Sequence, residues 1–268
     1  TELNPKSPKG ILRAGKLYQR GRNYTLALEL YKKAQDLDPN YAPAYREKAE
    51  LYHLAQQKAN AVESYRKYLE LNNSDEARER YAGFLLNNKQ YAEAITEIES
   101  LQKNGASSLY LDRYLGYSYA EVGNKVDAEA YKKGLNAISH FFEKSSKVPN
   151  FKYVGTDYKY KGLLLSKTGQ DSLAIIEMER AITTDPKLEG EIIALIATTW
   201  MKARNYDKAI EAYLRKAGND PKNLSGQDYF ELGRAYYFGP KDFVKSDSAF
   251  SKLTQAIPSF ATGYFWRG

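Results

Sequence analysis

Residues 14–39 read AGKLYQRGRNYTLALELYKKAQDLDP and contain the pattern that decides the fold. Tyrosines and alanines recur here at three- and four-residue spacing, which is typical of the buried stripe of an amphipathic helix. The pattern returns thirty-four residues later, and the matched pairs are Tyr18 and Tyr52, Ala27 and Ala61, and Tyr31 and Tyr65. A period of this length predicts a stack of similar supersecondary units.

Further copies of the pattern occupy nearly the whole chain. Small residues mark the first helix of the later copies, at Ala82-Gly83, Leu115-Gly116, Gly162 and Leu232-Gly233. Asp-Pro pairs close three copies, at Asp38-Pro39, Asp185-Pro186 and Asp220-Pro221. Proline disfavours helical backbone in the residue before it, so each pair predicts the end of a helix. No segment with the two-residue period of a strand competes with this interpretation.

The pattern resembles the tetratricopeptide repeat (TPR), and in particular the multi-repeat scaffold proteins of bacterial envelopes. The resemblance implies an all-α fold, a right-handed superhelical α-solenoid of about seven helix-turn-helix repeats plus a partial eighth. The expected repeats span residues 8–41, 42–75, 76–108, 109–142, 155–188, 190–223, 226–260 and, in part, 261–268. Residues 1–7 are expected to form a flexible lead-in, and residues 143–154 to interrupt a single array as a loop or a lengthened helix end.

Composition excludes several classes of function. The chain has 268 residues, of which 43% are hydrophobic, and this is enough to build a core and to exclude general disorder. It lacks cysteine, so thiolate catalysis and zinc–thiolate sites are ruled out. The two histidines, His53 and His140, fall in different repeats, and neither has a second ligand at metal-site spacing. We therefore expect no enzyme activity, no metal and no cofactor. Mean hydropathy is −0.65, and we expect no transmembrane segment.

The resemblance also indicates where a partner binds. In the TPR family, the second, fifth, ninth, twelfth and thirteenth residues of the first helix line a concave groove. Here those positions hold ten cations and three carboxylates, a surplus equal to the net charge of +7 of the whole chain. The fifth positions are Leu12, Arg46, Arg80, Arg113, Lys159, Ala194 and Phe230, so four consecutive repeats place a cation at one level.

This row of cations predicts an extended acidic ligand. Adjacent helices pack 8 to 10 Å apart, and an extended peptide advances about 3.3 Å per residue, so acidic groups at every third position match the row. Aromatic residues at neighbouring groove positions are expected to act as flat anchors. The predicted peptide-binding groove consists of Lys16, Arg46, Arg80, Phe84, Arg113, Tyr117 and Lys159. The predicted function is that of a non-catalytic scaffold whose basic, aromatic-lined groove binds an acidic segment of another protein.

Other interpretations of the same residues remain open. The groove cations can simply keep the concave surface soluble, or the groove can bind a polyanion such as nucleic acid or acidic glycan. His53, at the twelfth position of the second repeat, is a candidate pH-sensitive contact, whereas His140 is expected on the surface. The absence of cysteine and the start at Thr1 are compatible with export, so we expect the bacterial periplasm or cell envelope. The end at Tyr264–Gly268 resembles the start of another first helix, which predicts that the array continues.

Overall fold

The computed structural model describes residues 7–123 and 129–267, and within them the chain folds into α-helices, short 3-10 turns and loops, with no strand. Two compact units, Thr1–Val122 and Gly123–Gly268, divide the chain. The helices of the first unit are α1 (Pro8–Arg20), α2 (Tyr24–Leu37), α3 (Ala42–Leu54), α4 (Lys58–Leu71), α5 (Asp75–Asn87), α6 (Tyr91–Lys103) and α7 (Leu109–Val122).

The second unit continues with helices of similar length. They are α8 (Ala130–Ser146), α9 (Gly155–Lys167), α10 (Asp171–Thr184), α11 (Glu189–Lys202), α12 (Tyr206–Ala217), α13 (Gly226–Phe238), α14 (Phe243–Ala256) and the short α15 (Ala261–Arg267). Short 3-10 turns at Pro186–Leu188 and Pro221–Asn223 precede α11 and α13. Their first residues belong to the Asp-Pro pairs that were expected to end the preceding helices.

Consecutive helices pack as pairs inside each unit. In the first unit α1 packs on α2, α3 on α4 and α5 on α6, while α7 packs on both α5 and α6. In the second unit the pairs are α9 with α10, α11 with α12, and α13 with α14. The prediction of an all-α stack of helix-turn-helix repeats is confirmed. The boundary between the two units falls between α7 and α8, within the predicted fourth repeat.

Close approach of the two helices in a pair depends on small residues that face aromatic rings. A Cβ atom added to Gly15 would lie 2.6 Å from Cε1 of Tyr31, and one added to Gly233 would lie 2.8 Å from the ring of Phe250. Both rings are fully buried. Since real Cβ contacts are longer than 3.0 Å, these positions of the first helix admit only glycine without a shift of the partner ring.

The turns inside the pairs share a left-handed residue. In the turn after α1, the amide of Asn23 donates to the carbonyl of Tyr18 at 2.9 Å, and Arg22 has a φ of 62°. Gln56, Lys89 and Arg204 have φ values of 59°, 61° and 56° in the matching turns. Left-handed backbone costs a residue with a Cβ roughly 1–2 kcal/mol, so several turns of this chain are strained where glycine would be relaxed.

Residues 143–154, which were expected to interrupt the repeats, contain the end of one helix and a loop. Helix α8 is lengthened and continues to Ser146, and a loop then leads to α9 at Gly155. The loop folds back onto α8, where the ring of Tyr153 stacks on Phe142 with centroids 4.9 Å apart. The hydroxyl of Ser145, which is buried, lies 2.9 Å from that of Tyr153. Aromatic packing therefore anchors this loop to the helix before it.

We expect Gly233→Ala to lower the free energy of unfolding by roughly 1–3 kcal/mol, because the new methyl group would displace the ring of Phe250. Gly190, near the start of α11 in the same unit, is the matched control, since a Cβ added there meets no atom within 4 Å. Gly190→Ala should raise the stability by up to about 1 kcal/mol through helix propensity. Urea denaturation measures both free energies of unfolding. An equal change in the two variants would contradict the claim that close packing against Phe250 requires glycine at position 233.

We expect Arg22→Gly to raise the free energy of unfolding by about 0.5–1 kcal/mol, because glycine adopts the left-handed φ of this turn without strain. Arg13→Gly, an equivalent substitution at an exposed position within α1, should lower it by about 1 kcal/mol. Thermal denaturation followed by circular dichroism compares the two. A loss of stability in Arg22→Gly would show that the arginine is favourable in the turn.

Candidate functional site

The first unit contains a pocket of about 410 Å³ between α3 and α5, closed by one tyrosine from α4 and one from α7. Its lining residues are Arg46, Glu50, His53, Tyr65, Arg80, Gly83, Phe84, Asn87 and Tyr114. Three residues of the predicted groove, Arg46, Arg80 and Phe84, thus meet at one place. The pocket belongs entirely to the first unit.

The register of two helices explains why these residues meet. Residues spaced four and then three apart share one face of a helix. Helix α3 presents Arg46, Glu50 and His53 at this spacing, and α5 presents Arg80, Phe84 and Asn87 at the same spacing. Equivalent residues of two successive repeats therefore line the pocket from two sides.

A buried carboxylate pairs with two of the predicted groove cations. The side chain of Glu47, which is 9% exposed, accepts from Nζ of Lys16 at 3.0 Å and from a guanidinium nitrogen of Arg46 at 2.7 Å. Burial acts to lower the pKa of Arg46, but the hydrogen bond and charge of Glu47 outweigh it, and the pKa is raised. Counting groove positions missed Glu47 because it is the sixth residue of its helix, next to the groove positions and not among them.

Arg80 differs from Arg46 in having no ion pair with any residue of the described ranges. Its side chain is exposed at the mouth of the pocket. Phe84, one turn further along α5, was expected to offer a flat exposed face, but it is only 4% exposed. Its ring packs 4.7 Å from that of Tyr65 and 5.7 Å from that of His53, measured between centroids. Phe84 therefore forms the floor of the pocket and supports its neighbours.

Arg113 and Tyr117 contact each other on α7. Nε of Arg113 donates to the hydroxyl of Tyr117 at 3.2 Å, and the guanidinium carbon lies 5.9 Å from the ring centroid. Tyr117 was expected to be an exposed anchor, but it is only 7% exposed and is therefore buried, as Phe84 is.

Lys159 lies in the second unit, on α9. Its Nζ forms an ion pair with Glu191 at 3.0 Å and lies 4.6 Å from the ring centroid of Tyr160. Only 12% of its side chain is exposed. The structure therefore pairs this cation with a carboxylate inside its own unit, as it pairs Arg46 with Glu47.

Burial changes the acid–base chemistry of the pocket wall. It raises the pKa of Glu50, an effect that Glu47 reinforces and that the charges of His53 and Arg46 oppose. Burial likewise raises the pKa of Tyr65 and that of Tyr114, so both hydroxyls stay neutral and can donate hydrogen bonds. The pocket thus combines cations, neutral hydrogen-bond donors and one carboxyl group with a raised pKa.

The fold defines a class of protein, the arrays of helical-hairpin repeats. The model of the tetratricopeptide repeat family matches residues 12–76. Within the described residues, no helix is long and apolar enough to cross a membrane. No group of three or more His, Asp or Glu side chains there is arranged to hold a metal ion.

Solved structures extend the match along the chain. The C-terminal part of a TPR repeat-containing protein from Cytophaga hutchinsonii is 30% identical over 70% of this chain and 68% of that one, with a TM-score of 0.54. A tetratricopeptide repeat protein from Parabacteroides merdae covers 97% of both chains at 11% identity, with a TM-score of 0.63. The chain is also similar to a structure of the APC/C hetero-tetramer Cut9–Hcn1, at 14% identity over 95% of this chain and 44% of that one, with a TM-score of 0.60.

The chain therefore belongs to the tetratricopeptide repeat family. No curated protein matches the chain. The two structural matches below 25% identity support the fold alone.

We expect Glu47→Gln to lower the free energy of unfolding by roughly 1–2 kcal/mol, because it removes the charge that compensates Lys16 and Arg46 in a half-buried setting. Glu29→Gln is the control: Glu29 is exposed on α2 and has no ion pair with a described residue. Urea denaturation at neutral pH compares them. Equal stability of the two variants would mean that the Glu47 ion pairs contribute nothing.

Proposed function

We propose that this chain is a non-catalytic protein–protein interaction scaffold whose first unit binds an extended acidic segment of another protein at the pocket between α3 and α5. The family and fold are those of an interaction scaffold. The observation that carries the finer proposal is Arg80, an exposed cation without an ion pair in the described residues, at the mouth of a pocket with neutral donors. A ligand carboxylate supplies the missing partner.

The neighbouring fifth-position residues extend this contact. Helix α7 packs beside α5, and Arg113 holds the fifth position of its repeat, as Arg80 does in the repeat before it. Adjacent helices lie about 8 to 10 Å apart, so one extended peptide with acidic side chains at every third residue reaches both guanidinium groups. Arg46 contributes less, because Glu47 already compensates its charge.

The expected affinity is modest and depends on salt. Exposed ion pairs contribute about 0–1 kcal/mol each, and the Debye length is about 8 Å at physiological ionic strength. Because Phe84 and Tyr117 are buried, they shape the surface without adding large apolar contacts. Binding should accordingly fall steeply as salt is added.

A single charge reversal tests the proposal. Arg80→Glu should weaken binding of a labelled peptide with glutamate at every third position by at least about fivefold, measured by fluorescence anisotropy at low salt. Lys33→Glu, at an exposed position of α2, changes the net charge equally and should bind like the wild type. Arg80 is preferred to Arg46 for this test, since a carboxylate at position 46 would lie beside Glu47 and disturb folding.

Three outcomes would contradict the proposal. The first is equal weakening by Arg80→Glu and Lys33→Glu, which would show a general effect of net charge. The second is equal binding of a peptide with glutamine in place of glutamate. The third is tighter binding of single-stranded RNA than of the acidic peptide at physiological salt, which would favour a polyanion-binding function.

A further inference from the structure

A buried asparagine determines which nitrogen of His53 carries hydrogen. Asn88 is 2% exposed, and its Nδ2 donates to the backbone carbonyl of Phe84 at 3.0 Å. A carbonyl oxygen can only accept, so the amide group of Asn88 is oriented with Nδ2 towards Phe84 and Oδ1 towards His53. Oδ1 lies 3.0 Å from Nδ1 of His53. Since Oδ1 also can only accept, Nδ1 is the protonated nitrogen of the neutral ring.

The other ring nitrogen, Nε2, is left for a ligand. It makes no hydrogen bond to a residue of the described ranges, and His53 lines the same pocket as Arg80. The ring is also held by Phe84, whose centroid lies 5.7 Å away. In the neutral ring Nε2 is an acceptor and repels a carboxylate. In the protonated ring Nε2 becomes a donor next to a positive charge.

The groups around His53 come from four helices. Helix α3 itself supplies Arg46, which is paired with Glu47, and the half-buried Glu50. Helix α5 supplies Arg80, while α4 and α7 supply the hydroxyls of Tyr65 and Tyr114. Glu50 supplies a carboxyl group to the lining of the pocket. Its ionised form disfavours binding of a ligand carboxylate, and its protonated form favours it.

We propose that His53 is the residue through which this pocket selects a carboxylate: its Nε2, presented by the hydrogen bond from Nδ1 to Asn88, donates to a ligand carboxylate when the ring is protonated. The proposal rests on the proposed function, because it concerns the same acidic ligand. Because imidazole is the side chain that gains a proton near neutral pH, binding of an acidic segment should tighten as the pH is lowered. The carboxylates of glutamate ligands stay largely ionised above about pH 5.

The test measures affinity for the peptide with glutamate at every third position at about pH 7.5 and about pH 5.5. The wild type should bind about tenfold more tightly at the lower pH. His53→Gln should lose most of this gain, whereas His140→Gln should keep it, since His140 is exposed on α8 in the other unit. Glu50→Gln tests the contribution of the second titratable group in the pocket. This variant should also keep most of the gain in affinity at the lower pH.

The outcomes distinguish this inference from the proposed function. If the wild type does not bind the peptide, or if Arg80→Glu binds as well as the wild type, both proposals are wrong. If binding depends on Arg80 but His53→Gln retains the full gain at low pH, only the role of His53 is wrong. Loss of the gain in Glu50→Gln and not in His53→Gln would assign the effect to Glu50 and overturn the inference.

A second measurement needs no ligand. Nitrogen-15 NMR of the neutral imidazole rings should show His53 with hydrogen on Nδ1, and the exposed His140 serves as the reference. Asn88→Leu should abolish this preference and leave the gain in affinity at low pH smaller than in the wild type. An Nε2–H tautomer in the wild type would contradict the geometry on which the inference depends.

Discussion

The contact between a small residue of the first helix and an aromatic ring of the second is the constraint on which the rest of the structure depends. Gly15 against Tyr31 and Gly233 against Phe250 leave no room for a Cβ atom. Gly83 has a similar contact with α7, because a Cβ atom added there would lie 3.1 Å from Cε2 of Tyr114. This last contact places Tyr114 at the pocket between α3 and α5, so the packing that closes the repeats also shapes the candidate site.

The helices could be predicted from the sequence because the packing pattern recurs. Each copy repeats small and aromatic residues at fixed spacing, and Asp38-Pro39 or its equivalents mark the ends. The turns inside the pairs were less predictable. Arg22 and its counterparts adopt left-handed backbone without being glycine, since tertiary packing of the two helices outweighs the local strain. The boundary between the two units, after Val122, could not be predicted, because the repeat pattern does not change there in a way that marks it.

The sequence indicated where the candidate site lies, but it did not indicate which of the cations there are paired with a carboxylate. Counting cations at groove positions selected Arg46 and Arg80, and both line one pocket. The count could not show that Glu47, from an uncounted position, compensates Arg46, because ion pairing depends on side-chain direction and not on spacing alone. It also treated Phe84 as exposed, whereas neighbouring repeats bury its ring. Asn88 falls at a groove position of its repeat, but the sequence does not indicate that its side chain orients His53.

Binding of an acidic segment to the face shared by α3 and α5 is the central claim about this protein. The most direct measurement is a titration of the nitrogen-15-labelled protein with the acidic peptide, followed through its backbone amide resonances. We predict that the largest shifts fall at the pocket residues of both helices, which are Arg46, Glu50 and His53 on α3 and Arg80, Phe84 and Asn87 on α5. Shifts concentrated instead around Tyr45, Lys48 and Tyr52, which line a separate pocket on another face of α3, would contradict the claim.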